Sequence, residues 1–108
     1  MKTAIAGLLA IAALSASQQS RTFAGVISDE MCAKADHSQM RMGPTDAECT
    51  TACVSAHGAA YVLYDGRNVY TLNSRQPLDT FAGRKVRVVG ALDAKTAVIR
   101  VDSITLAE

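Results

Sequence analysis

Short runs of alternating apolar and polar residues fill the second half of the chain, a pattern typical of β-strands with one buried face. Five strands are predicted, at 22–28, 60–64, 68–72, 84–92 and 97–106. Asp65-Gly66-Arg67 lies between the second and third strands and predicts a tight hairpin. Gly25 predicts a bulge or a close approach of two backbones. Gly90 predicts a bulge or a bend, and the slip of the alternation at Ser103-Ile104 predicts a bulge.

A helix is predicted at 46–56 from its end signals rather than from an apolar stripe. Thr45 and Glu48 have the spacing of a capping box, and Gly58 is a typical helix stop. Alanine recurs between these ends and favours the helical conformation.

Two shorter helical turns are also predicted. Asp29 is placed to cap a turn at 30–34, because its carboxylate reaches backbone N–H groups that have no helical partner. A second turn is predicted at 77–81 and is stopped by Gly83. Residues 34–43 show no periodicity and are predicted to form a loop.

The order of these elements predicts a mainly β protein: a five-stranded OB-fold-like barrel. A helix-containing insertion at 29–58 separates strands 1 and 2, and a short helical turn separates strands 3 and 4. Residues 18–108 form one domain on this interpretation.

Residues 1–17 have the order of a secretory signal peptide: Lys2, an apolar run from Ile5 to Leu14, then small residues. The run is too short to span a bilayer. No cysteine follows it that could carry a lipid, so we expect an exported protein, periplasmic or secreted, with no membrane anchor.

The charge balance argues against nucleic acid as a partner. The chain has 11 Lys and Arg and 10 Asp and Glu, and Lys2 is the only charged residue of the leader. A nearly neutral domain exerts no long-range attraction on phosphate. A domain this small has a limited core, so a cross-link or a bound metal would stabilise it.

The insertion concentrates the residues with distinctive chemistry. It holds all three cysteines, both histidines and three of the four methionines: Cys32, Cys49, Cys53, His37, His57, Met31, Met40 and Met42. Cys49 and Cys53 share one face of the predicted helix, with Cβ atoms ~5–6 Å apart, whereas a disulfide needs roughly 3.5–4.5 Å. These two cysteines should therefore not pair with each other.

Two arrangements of the cysteines stay open. Cys32 could bridge to Cys49 or Cys53, which would close a loop and contribute roughly 3 kcal/mol, with one thiol left over. The three cysteines could instead bind a metal with His37 as the fourth ligand, a common zinc set. Met40 or Met42 would shift the preference towards copper as Cu(I).

The motifs favour a binding protein over an enzyme. No C-x-x-C redox motif and no phosphate-binding glycine loop is present, and no oxyanion feature accompanies Cys32 and His37. The first hypothesis is a protein that holds zinc or copper. The second is a disulfide-stabilised module that recognises a peptide, a glycan or an exported protein, and the third is a thiol oxidoreductase.

Three segments resemble small exported bacterial OB-fold proteins, a family without an established activity: GVISDEMC, CTTACVSAHGAAYVLYDG and FAGRKVRVVGAL. The resemblance covers most of 22–106 and implies the fold alone. The run from His37 to Met42 has an H-x-x-M-x-M spacing similar to that of periplasmic copper and silver chaperones of OB-fold type, which implies Met and His ligands. The chain departs from those chaperones in having no Trp and in carrying cysteines.

Overall fold

The computed structural model describes residues 19–33 and 45–107 of the chain. These residues form a mainly β structure, as the sequence predicts. The five strands are β1 (Arg21–Asp29), β2 (Tyr61–Tyr64), β3 (Val69–Asn73), β4 (Lys85–Asp93) and β5 (Val98–Leu106). One helix, α1 (Asp46–His57), lies between β1 and β2, and short 3₁₀ turns occupy Glu30–Cys32 and Asp79–Phe81.

The predicted leader at 1–17 and the predicted loop at 34–43 lie outside the described residues. The same holds for His37, Met40 and Met42. The export signal and these three ligands therefore stay predictions.

The five strands form one sheet that closes on itself in the order β1-β2-β3-β5-β4. Neighbouring strands are antiparallel except β3 and β5, which are parallel. β1 has both β4 and β2 as neighbours, and Val26 lies opposite Lys85 on one side and Tyr64 on the other. β1 therefore links β2 to β4 and closes the ring of strands.

Two glycines permit close backbone contacts that a side chain would block. A Cβ at Gly25 would overlap the Tyr64 carbonyl oxygen, and one at Gly90 would overlap that of Arg100. The pairing of β4 with β5 shifts between Val89 and Gly90, where Asp102 has no opposite residue. The close approach at Gly25 and the irregularities at Gly90 and near Ser103 are thus confirmed.

The hydrophobic core lies where the inward faces of all five strands meet. It consists of buried aliphatic and aromatic residues: Phe23, Ile27, Leu63, Leu72, Leu78, Val86, Val88, Ile99 and Ile104. The Tyr70 ring packs against Phe23 with its centroid 5.7 Å away. Burial of each large apolar side chain stabilises the fold by about 1.5–3 kcal/mol, so this cluster holds the sheet in its closed form.

α1 begins and ends as its sequence signals predict. The Thr45 side chain accepts a hydrogen bond from the Glu48 N–H at 3.1 Å. Gly58 has a left-handed conformation, with φ +66°, and its N–H donates to the Val54 carbonyl at 3.0 Å. The helix is one residue longer than predicted, because His57 completes its last turn.

The beginning of α1 lies against the turn that precedes β4. A Cβ at Gly83 would be only 2.8 Å from the Ala47 nitrogen. The Gly83 N–H in turn donates to the Ile27 carbonyl of β1 at 2.8 Å. These contacts place the helix over the end of β1. Within the described part of the chain, no helix is long and apolar enough to cross a membrane.

Candidate functional site

The end of β1 folds back on itself and positions Cys32. Asp29 Oδ1 accepts hydrogen bonds from the backbone N–H groups of Met31 and Cys32, both at 3.0 Å. The Ser28 hydroxyl donates to the Cys32 carbonyl at 2.7 Å. The predicted cap at Asp29 is therefore confirmed, and the 3₁₀ turn holds Cys32 in a buried position.

α1 supplies the other two cysteines from its inner face. Cys49 and Cys53 are both fully buried, one helical turn apart, and Thr50 beside them is also fully buried. These are the three residues that the helix buries. A helix buries its most apolar face in the usual case, whereas the inner face of α1 presents two thiols and a hydroxyl.

The surroundings of Cys53 show that the three cysteines share one region. Burial raises the pKa of the Cys53 thiol to about 11, and the nearby carboxylate of Asp29 adds to the increase. Cys49 and Cys32 raise the same pKa further by their charge, and hydrogen bonding with Asp29 adds a smaller increase. Charge effects of this kind act over short distances, so α1 and the end of β1 bring these four side chains into one buried cluster, the thiol–carboxylate cluster.

The second oxygen of Asp29 is the unusual atom of this cluster. Asp29 is fully buried, and its Oδ2 has no hydrogen-bond partner of ordinary geometry among the described residues. The Cys53 thiol is close enough for its pKa to respond to the carboxylate, yet no bond of good geometry joins it to Oδ2. Buried carboxylate oxygens normally have partners, so this oxygen calls for a physical explanation.

Sequence reasoning identified Asp29 as a cap but did not predict its burial. The cap depends on neighbouring backbone groups and is visible in the sequence, whereas the burial depends on how α1 packs against β1. Thr50 was missed for the same reason, and its Oγ1 is likewise buried with no partner among the described residues. Its position next to Cys49 on the predicted helix was the only available signal.

The cysteines are present as thiols, and the described residues contain no disulfide. No three His, Cys, Asp or Glu side chains in the ranges 19–33 and 45–107 form a group that could hold a metal ion. The predicted set also includes His37, Met40 and Met42, which lie outside these ranges. The metal and disulfide alternatives therefore both stay predictions.

Two other described residues of the insertion, His57 and Met31, have exposed side chains. His57 is exposed in the last turn of α1, where an imidazole complements the helix dipole. The Met31 side chain is 43% exposed, and only its backbone N–H contacts the cluster, through Asp29 Oδ1.

Comparisons of the chain with protein-family models, with curated proteins and with solved structures give no significant match. Functional inference therefore depends on the chemistry of the thiol–carboxylate cluster.

Proposed function

We propose that this chain is a small exported binding protein of OB-fold type that holds one zinc or copper ion. Cys32, Cys49 and Cys53 are the protein ligands, His37 completes the set, and Met40 or Met42 exchanges into it for copper. The observation that carries the proposal is that the three cysteines lie buried in one region with a carboxylate oxygen that has no hydrogen-bond partner of ordinary geometry in the ranges 19–33 and 45–107.

The OB-fold part of the proposal is supported by the strand connections. A sheet ordered β1-β2-β3-β5-β4, with β4 returning to β1, is a five-stranded closed arrangement. The parallel β3–β5 pair and the 3₁₀ turn between β3 and β4 agree with that topology. α1 and the cysteines then belong to the connection between strands 1 and 2, a region through which OB-folds bind ligands.

The metal part of the proposal is supported by electrostatics. The influences on Cys53 are burial, a carboxylate and two other thiols, and each of them disfavours the thiolate. A divalent or soft cation reverses this preference, because it displaces the thiol protons and compensates the negative charge. An apolar core would satisfy the packing needs of α1 without these groups.

The test is elemental analysis of the protein purified from the exporting compartment without added reductant, paired with a free-thiol count. We expect about one equivalent of zinc or copper in the wild type, lost in Cys49→Ser and in Cys53→Ser. Ser55→Ala, on the exposed side of the same helix, is the matched control and should keep its metal.

A wild type that neither carries metal nor takes up added Zn²⁺ or Cu(I) would overturn the proposal. This result does not depend on the folding of any variant. Circular dichroism of each Cys→Ser variant separates loss of ligand from loss of structure.

A disulfide-stabilised interaction module is the second candidate function, and the same proximity favours it. Cys32 lies within electrostatic range of Cys53 although 21 positions separate them in the chain, so a bridge would close the insertion. This hypothesis expects one free thiol, no metal, and a mass two hydrogens below that of the reduced chain. The partner would be a peptide, a glycan or an exported protein.

A further inference from the structure

We propose that the open edge of β5 binds an extended, acidic segment of another protein chain, which adds to the sheet as a strand. The segment places a carboxylate in the neighbouring cleft, which Arg75 and Arg100 line. The juxtaposition of this strand edge with two arginines is what suggests it. The inference goes beyond the proposed metal site and does not depend on it.

β5 has a neighbouring strand on both sides over only part of its length. β4 pairs with it as far as Leu106, whereas the pairing with β3 runs only from Val98 to Arg100. Among the described residues, no strand lies beside 101–106 on the side that β3 leaves. This edge is long enough for a short added strand.

The hydrogen bond from the Ala107 N–H to the Lys85 carbonyl, at 2.9 Å, fixes which backbone groups face the open edge. In an antiparallel ladder, this bond makes Leu106 a position whose own N–H and C=O point away from β4. Because these directions alternate, Thr105 bonds to β4, whereas Ile104 and Leu106 present their groups to the open side. No backbone partner for them lies there within the described ranges.

The side chains along this edge leave room for an added strand. Asp102, Ser103, Thr105 and Leu106 are exposed, and Leu106 offers an apolar contact because it is 41% exposed. The Asp102 carboxylate accepts a hydrogen bond from the Ser20 hydroxyl at 2.6 Å. The single negative charge of the edge is thus held by the chain itself.

A cleft of about 560 Å³ lies where β3 leaves β5. It is lined by residues 73–76, at the end of β3, and by 100–102 of β5. The Ser74 hydroxyl accepts the Gln76 N–H at 3.1 Å and donates to the Gln76 carbonyl at 2.9 Å. These two bonds hold the turn that carries Arg75 beside the open edge.

The charges of the cleft favour an acidic partner. Arg75 and Arg100 are exposed, and neither forms an ion pair with another residue of the described ranges. The carboxylate of Asp102 also lines the cleft, so one positive charge remains in excess. Guanidinium groups bind carboxylates through paired, charge-assisted hydrogen bonds. An acidic side chain in an added strand would supply that carboxylate.

An extended peptide is the occupant that uses both features. The main chain of an added strand pairs with a sheet edge through N–H and C=O groups that every residue has, and side chains supply the specificity. A free anion would use the two arginines and leave the backbone edge of β5 unpaired. The acidic peptide satisfies the edge and the cleft together.

The test is an NMR titration of the full chain with a synthetic acidic hexapeptide, acetyl-TVEVEV-amide. Without peptide, amide hydrogen exchange at Ile104 and Leu106 should be faster than at Thr105, which already bonds to β4. At a peptide concentration of about ten times Kd, exchange at Ile104 and Leu106 should slow about tenfold, because only the free state exchanges.

Matched peptides separate the two contributions. The lysine peptide acetyl-TVKVKV-amide should bind about tenfold more weakly than the acidic one, because its charges oppose those of the cleft. The acidic peptide N-methylated at two adjacent central residues loses an N–H on each of its edges. It should give no slowing of exchange at Ile104 and Leu106.

Variants of the chain test the cleft. Arg75→Gln and Arg100→Gln should each weaken binding of the acidic peptide about threefold to fivefold, the size of one exposed charged contact. Arg67→Gln is the matched control, because Arg67 is exposed at the tip of the β2–β3 hairpin and does not line the cleft. It should bind the peptide as the wild type does.

Each other outcome overturns the proposal and leaves the metal site untouched. Slow exchange at Ile104 and Leu106 in the free monomer would mean that the edge is already covered. Slow exchange that appears only on dimerisation would make a second copy of the chain the occupant. Equal affinity for the acidic and lysine peptides, or no binding of the acidic peptide, would remove the acidic partner.

Discussion

Asp65 organises the tip of the hairpin between β2 and β3. Its Oδ1 accepts the backbone N–H of Asn68 at 2.6 Å and that of Arg67 at 2.8 Å. Hydrogen bonds to the ionised form stabilise it, and these bonds, the one from Asn68 first, lower the pKa of the Asp65 carboxyl. The turn residues and the carboxylate therefore support each other's conformation.

This lowered pKa predicts a pH dependence of stability. Because the folded-state pKa lies below the unfolded value of about 3.9, the carboxylate stabilises the fold above that value. The contribution is lost as the pH falls through the folded-state pKa. We expect wild type to exceed Asp65→Asn in free energy of unfolding by more at pH 6 than at pH 3, measured by urea denaturation at each pH.

Asp79→Asn serves as the control for the general effect of removing one exposed carboxylate. An equal advantage of the wild type over Asp65→Asn at both pH values would contradict the role given to the ionised carboxylate in the turn.

Asp29 shows which properties of a single residue can be predicted from sequence and which cannot. The role of Oδ1 could be predicted because its partners are two and three positions away in the chain. The burial of Oδ2 could not, since it follows from the packing of α1, whose first residue is 17 positions later. Hydrogen bonds between residues close in the chain can be predicted from the local sequence. The desolvation of a side chain depends on the assembled fold.

For the helix α1 as a whole, local features could likewise be predicted from sequence, whereas its packing could not. Its ends agree with the prediction to within one residue because Thr45 and Gly58 satisfy backbone groups within the same segment. Its position against β1 was not predictable, because the helix buries only Cys49, Thr50 and Cys53 and has no apolar stripe to show which face turns inward. The sequence predicted that the three cysteines could converge. The identity of the atoms that surround them could be learned only from the folded structure.

The N-terminal cap of α1 gives a prediction for the whole element. Thr45→Ala removes the side chain that accepts the Glu48 N–H, and we expect a loss of about 1 kcal/mol in the free energy of unfolding. Thermal or urea unfolding followed by circular dichroism measures this loss.

Ser55→Ala on the exposed side of the helix should change the same free energy by no more than about 0.5 kcal/mol. If Thr45→Ala were as stable as this control, the cap would have no role in holding α1.

At the scale of the whole molecule, stability resides in the core that the five strands enclose. Leu63 is fully buried in that core. We expect Leu63→Ala to lower the free energy of unfolding by about 2–5 kcal/mol, a large part of the ~5–15 kcal/mol typical of a folded protein. Urea denaturation measures the loss, and the signals of helix and strands should disappear together.

Leu106→Ala is the matched control, since Leu106 is 41% exposed at the end of β5. It should change stability by about 0.5 kcal/mol or less. A comparable loss in both variants would mean that Leu63 does not belong to the stabilising core.

The strand count and the positions of the hairpin and bulges were predictable, because alternation and turn residues act over a few positions. The neighbours of each strand were expected only through the OB-fold interpretation of the element order. The parallel β3–β5 pair joins residues about 27 positions apart, Thr71 with Val98 among them. Pairings over such separations depend on which apolar faces find each other in space.

Closure of the sheet also affects the tendency of the molecule to associate with other protein chains. Each of the five described strands has a hydrogen-bonded neighbour on both sides over at least part of its length, which shortens the rows of unused N–H and C=O groups at the strand edges. Such rows are templates onto which strands of other chains add, and natural β proteins protect them against aggregation. Closure of the strands into a ring reduces this hazard through backbone geometry, so less of the protection has to come from charged side chains at the edges.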